Sequence, residues 1–392
     1  MASPCQNSVS LADKLADPSR PVFLLGHVPP AKGTPLEKCQ EIGDKFAARS
    51  NTLASDGFIV YDIQDEPRGD RPFPFRELMD SSAYAAMLTR YNDCLVYKCV
   101  ADADFDQWTR RASEEHGHSA VNLVGRPSSQ AEYAGPTLPA AMEHVRQSKR
   151  LKFGCVCIAE RHTMEAAHSR NKQYPTEHLN MMRKQSNGAD WFISQAVYDC
   201  EPTIRLIRDY ATLCRKQAVT PKKIVLTFCP VSKPKTMHFI KWLGVRVPEQ
   251  VEREILQADS PVDKSIKVLC GHLRRILTEC AGAGVPLGIN CESVSIYRAE
   301  IDAVHELFCR MQKILLDTRG SPWKVQWVDV PMTPVVMMAN REKEEEPESK
   351  HALTATSNDV LQAGLVGALV GGALVGIGVV LGGTSKPGAS SM

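Results

Sequence analysis

Short apolar runs alternate with longer amphipathic stretches from about Pro21 to Asp329. The runs fall at residues 22–25, 58–61, 94–97, 120–124, 153–158, 191–194, 223–228 and 288–291. Most are apolar at consecutive positions, the pattern of parallel strands buried on both faces. Between them, residues 36–50, 138–148, 174–187, 201–216 and 264–283 have the length and apolar spacing of helices covering a sheet. Eight strands alternating with helices predict an α/β fold, and the count favours a closed (β/α)₈ TIM barrel. The alternative is an open doubly wound sheet, but no Gly-rich phosphate fingerprint follows the first strand. Residues 323–328 are apolar enough to add one strand or a closing segment.

The pattern divides the chain into a polar lead (1–20), the barrel (21–329), an acidic linker (330–359), an apolar segment (360–383) and a short polar tail (384–392). Residues 341–350 are a solvated charge run, as a linker should be. Residues 363–383 hold no charged or polar side chain, and such a stretch spans roughly 30 Å as a helix, the thickness of a hydrocarbon core. Gly367/Gly371, Gly372/Gly376 and Gly378/Gly382 are GxxxG pairs, which let membrane helices approach closely and self-associate. The segment therefore predicts a single transmembrane helix, a tail anchor that leaves the barrel facing the cytosol. A Gly/Val-rich disordered tail is the other reading, since eight glycines lower helix propensity.

Composition narrows the class. Lysine plus arginine number 47 and aspartate plus glutamate 45, a balance that gives no footprint for nucleic acid. The thirteen cysteines show no metal-type spacing and are expected to be reduced, mostly core residues. No metal site, Walker loop or trusted Ser-His-Asp order is visible.

Several motifs carry a resemblance. They are Gly188-Ala189-Asp190 leading through an apolar strand to Gln195 and Asp199, then Cys229-Pro230-Val231-Ser232, Val245-Arg246-Val247-Pro248, and Ser295-Ile296-Tyr297-Arg298-Ala299-Glu300. With Pro29-Pro30 after the first strand, their order and spacing resemble methylenetetrahydrofolate reductase. That resemblance implies a flavin enzyme of one-carbon metabolism. Reduced NAD(P)H passes hydride to FAD, and the flavin reduces methylenetetrahydrofolate, with the sites at the C-terminal ends of the strands.

The resemblance assigns Gln195 and Tyr198 to the substrate, where an amide suits a pterin's donor and acceptor edge. Glu177 and Lys184 match residues at the flavin's ribose and phosphates, and Glu160 and His162 match a Glu-x-His pair after the fifth strand. Residues 132–139 match the region used against the adenine. Each has a plainer reading: a strand-end amide, a solvated helix face, a loop histidine, a surface loop.

Other positions depart from the family. Gly26 stands where the family has the glutamate that acts as general acid, and glycine delivers no proton. His27 is next to it but alternates to the other strand face. Arg126 replaces an aspartate that tunes the flavin, Lys98 a histidine, Ile158 a tyrosine, Asp62 a threonine and Glu292 a histidine. Asp62 is the candidate replacement acid. With Asp65, Glu66, Lys98, Arg126 and Glu160 it would make a new charged site on the loop face. Two functions follow: a flavin-dependent oxidoreductase with a degenerate active site, or a non-catalytic folate- or small-molecule-binding barrel tethered to a membrane as a scaffold.

Overall fold

A computed structural model describes residues 9–63, 76–126, 132–295 and 297–317. Eight parallel strands close into a barrel: β1 (Phe23–His27), β2 (Gly57–Val60), β3 (Cys94–Cys99), β4 (Ala120–Val124), β5 (Lys152–Cys157), β6 (Trp191–Ala196), β7 (Lys223–Phe228) and β8 (Leu287–Cys291). Each pairs with the next, and β1 meets β8 in the register Phe23↔Ile289, Leu24↔Asn290. The expected strands all form, shifted by a residue or two at their ends. The helices Leu36–Ser50 and Leu138–Ser148 start and stop at the expected residues. Thr137 caps the second by accepting from the Ala140 amide, and a proline follows in the first turn, where its missing N–H costs nothing.

Strand alternation sorts the side chains into two cores. Phe58, Val96, Leu123, Cys155, Phe192 and Leu226 face the surrounding helices. Leu24, Ile59, Leu95, Val156, Ile193 and Val225 fill the bore. Trp191 also lies in the bore, because Gly154 opposite it has no side chain; a Cβ there would strike the indole.

The lead contains a helix that the sequence reading did not foresee. Leu11–Ala16, capped by Ser10, buries Leu11, Ala12 and Leu15 against the N-terminal end of the bore. The Lys223 ammonium, pulled inside by its strand, donates to the Lys14 carbonyl at 2.5 Å, and burial lowers its pKa to about 8. Lys14 and Arg20 reach Asp56, and Lys152 reaches Asp13. The bottom of the barrel is thereby stoppered.

Among the described residues no helix is long and apolar enough to cross a membrane. The apolar segment 363–383, the acidic linker, residues 323–328, Asp65 and Glu66 lie outside the described residues. The twelve described cysteines are free and mostly buried.

Candidate functional site at the barrel mouth

At the C-terminal end the bore turns polar. Asn122 on β4, Thr227 on β7 and Asn290 on β8 sit among apolar neighbours, and Tyr61, Tyr97 and Glu292 form the layer above. Glu292 Oε2 accepts from the Tyr61 hydroxyl and, at 3.0 Å, from the Asn290 amide. The same amide donates to Tyr61 Oη at 2.9 Å and to Thr227 at 3.3 Å. The Tyr61 and Tyr97 rings meet edge to face at 4.9 Å.

Gly26 makes this arrangement fit. A Cβ built on it would lie 2.7 Å from Tyr61 Oη, 2.8 Å from Glu292 Cβ and 2.9 Å from Glu292 Oε2. The space a β1 side chain would take is therefore filled from β8. Burial pushes the Glu292 carboxyl up to about 8, so it is a neutral acid at pH 7.

Some polar atoms of this layer have no partner among the described residues: both amide atoms of Asn122, Asn290 Oδ1 and Glu292 Oε1. Buried polar groups left unpaired cost on the order of 1–3 kcal/mol each, so such a set marks a place for water or ligand atoms. Gln195 is buried near the end of β6, one residue past the pair Cys157↔Ser194 and within the irregular β6–β7 stretch between Ile193 and Ala196. Val28, Ile63, Val124 and Ile158 give the mouth apolar walls.

The other expected site residues are placed differently. Asp62 turns to the strand edge, where it accepts from the Cys99 amide at 2.7 Å and faces Lys98 at 4.0 Å. Burial raises its pKa to about 6. Lys98 points toward the helices, bonding Asp102 at 2.5 Å and lying 5.4 Å from the Trp108 ring. Arg126 donates to the carbonyls of Gly135, at 2.6 Å, and Pro136. Glu160 is half-buried near Asp199, accepts from the Arg246 amide, and is raised by burial to about 7. The expected single charged site is thus divided among separate groups. Tyr198, expected at the substrate, lies in the helix-facing core with its hydroxyl on the Cys229 carbonyl at 2.5 Å. His27 stacks on Phe46 at 4.0 Å and bonds Tyr84, on the far side of β1 from the bore.

The residues assigned to a flavin are also engaged within the chain. Lys184 Nζ donates to the Val156 carbonyl at 2.6 Å, and Glu177, fully buried, accepts from the Ile158 amide and from Asn180. His162 bonds Asp209 at 2.9 Å and packs its ring against His178. With Arg126 on its own loop, the four groups leave no free donor set for ribose and phosphates. These residues do not fit FAD in this arrangement.

His162, His178 and Asp209 do bring one ligand atom each within 4.8 Å, a cluster that the expectation of no metal overlooked because the three are far apart in sequence. Among the described residues neither imidazole Nδ1 finds a partner, whereas metal-bound histidines normally anchor their second nitrogen. The cluster is read as a His–Asp pair packed on a second imidazole.

Glu300, in the last of the resembling motifs, is structural. Its carboxylate gathers the Ser232 and Lys233 amides and the hydroxyls of Ser232, Thr236 and Ser295, tying the loops after β7 and β8 together.

A closed (β/α)₈ barrel with a stoppered base and a polar layer under apolar residues has the architecture in which ligand sites, where present, lie at the strands' C-terminal ends. Residues 126–282 match the family Methylenetetrahydrofolate reductase. An uncharacterized protein from Clostridium thermocellum that binds two copies of 5-methyl-5,6,7,8-tetrahydrofolic acid is 26% identical, with a TM-score of 0.64 over 78% of this chain and 100% of that one. The 7,8-dihydropteroate synthase from Vibrio fischeri ES114 is 13% identical, with a TM-score of 0.39 over 76% of this chain and 94% of that one. No curated protein matches in sequence. Through the second half of its barrel, the chain is similar to the methylenetetrahydrofolate reductase family.

Proposed function

We propose that the barrel binds a reduced folate, with the pterin seated at the mouth on the floor formed by Asn122, Gln195, Asn290 and Glu292. The observation that carries this reading is the set of donors and acceptors on Asn122, Asn290 and Glu292 that have no partner among the described residues, under apolar walls. A pterin has a flat aromatic body and an edge of alternating donors and acceptors, which suits such a floor. The tetrahydrofolate bound by the Clostridium thermocellum protein supports the same ligand class. Flavin-dependent reduction, the activity the resemblance implies, would need Lys184, Glu177, His162 and Arg126 to exchange their present partners. The reading is therefore a folate-binding barrel, with membrane attachment through residues 363–383 resting on the sequence alone.

Calorimetric titration of the full chain with 5-methyltetrahydrofolate tests the proposal. Saturable binding that weakens at least tenfold in Gln195→Ala supports it; no heat of binding at any accessible concentration refutes it.

A further inference from the structure

We infer that Glu292 is the hydrogen-bond donor that reads the ligand in the mouth, through the Oε1 that the fold leaves free. The inference rests on the folate reading and adds the group that sets its specificity. Oε2 is already occupied by Tyr61 and Asn290, both donating to it. Two donors on one oxygen fix the carboxyl's orientation and leave its proton for the other oxygen. Oε1 is buried and without a partner among the described residues. Presented to a ring nitrogen lone pair or a lactam carbonyl, an Oε1–H completes that bond. A carboxylate there would set lone pairs against lone pairs.

The surroundings keep the acid neutral. Tyr61 at the end of β2, Tyr97 on β3, Cys229 after β7 and Cys291 on β8 are the titratable groups facing it, and burial raises all four well above their usual values. No lysine or arginine is among the groups that shift Glu292, and its own carboxyl titrates at about 8. Gly26 is part of the device, since a side chain on β1 would displace the carboxyl from its place.

The experiment is the affinity of the full chain for 5-methyltetrahydrofolate between pH 6 and 9. If the protonated form alone is competent, binding is constant below pH 7 and about tenfold weaker at pH 9. Glu292→Gln, with an amide N–H that does not titrate in place of the acid, loses this slope, while Asp62→Asn retains it. A slope that persists in Glu292→Gln, or a flat wild-type profile, overturns the inference and leaves the folate reading standing. Absence of binding at every pH overturns both. A second measurement needs no variant. At pH 8, calorimetry in buffers of different ionisation enthalpy should show the wild type taking up about half a proton per ligand; zero uptake overturns the assignment.

Discussion

Glu292 carries a stability signature as well as a binding one. Its carboxyl is ionised above about pH 4.5 in the unfolded chain but only above about 8 in the barrel. Between those values the folded state holds a proton that the unfolded state does not. Stability from this group is therefore complete below 4.5, falls by about 1.4 kcal/mol per pH unit as pH rises toward 8, and then levels. Glu292→Gln should flatten the pH 5–8 dependence of Tm and leave the variant the more stable protein above pH 8. Thermal unfolding in a pH series checks this, and a wild-type slope unchanged by the substitution would argue against it. At the same scale lies the limit of what the sequence discloses. Asn122 and Asn290 are readable as polar residues in apolar strands, and Gln195 as a strand-end amide. The bond between Glu292 and Tyr61 is not readable, because their 231-residue separation is bridged only when β1 closes against β8.

The elements were legible where their own pattern sufficed. Eight apolar runs separated by helix-length stretches leave little choice but a parallel barrel. The helix Leu11–Ala16 was not legible, since six residues form no stable helix alone and its apolar positions matter only against the bore they stopper. Its contribution is testable. Leu15→Ala leaves a hole where Leu15 meets the bore core, and should cost about 2–5 kcal/mol in urea denaturation. A cost below about 0.5 kcal/mol would show that the helix rests on the barrel without supporting it. Gly154→Ala tests the neighbouring layer, since its methyl would strike the Trp191 indole and push that ring out of the bore. The expected result is a fall in Tm with loss of the near-ultraviolet tryptophan signal, and an unchanged spectrum would count against the packing.

For the molecule as a whole, two expectations concern what it carries and where it sits. The purified full chain should show no flavin absorbance near 450 nm and gain none on dialysis against FAD, because Lys184 and Glu177 are occupied within the wall. A yellow protein with stoichiometric flavin would reverse that reading. The tail expectation is checked by fractionation: the full chain should pellet with membranes and a chain ending at residue 329 should not. Both forms remaining in the supernatant would dispose of the anchor.

If the barrel binds a reduced folate, the stopper formed by Leu11 and Leu15 also bears on how the ligand enters and leaves. Among the described residues the bore is closed at its base, so on the folate reading a ligand would reach the polar floor past Val28, Ile63, Val124 and Ile158. An occupant must depart before its successor reaches Glu292. Two different floor ligands offered together should therefore exclude one another, each raising the other's apparent Kd in strict proportion to its own concentration, with no plateau at a ternary complex.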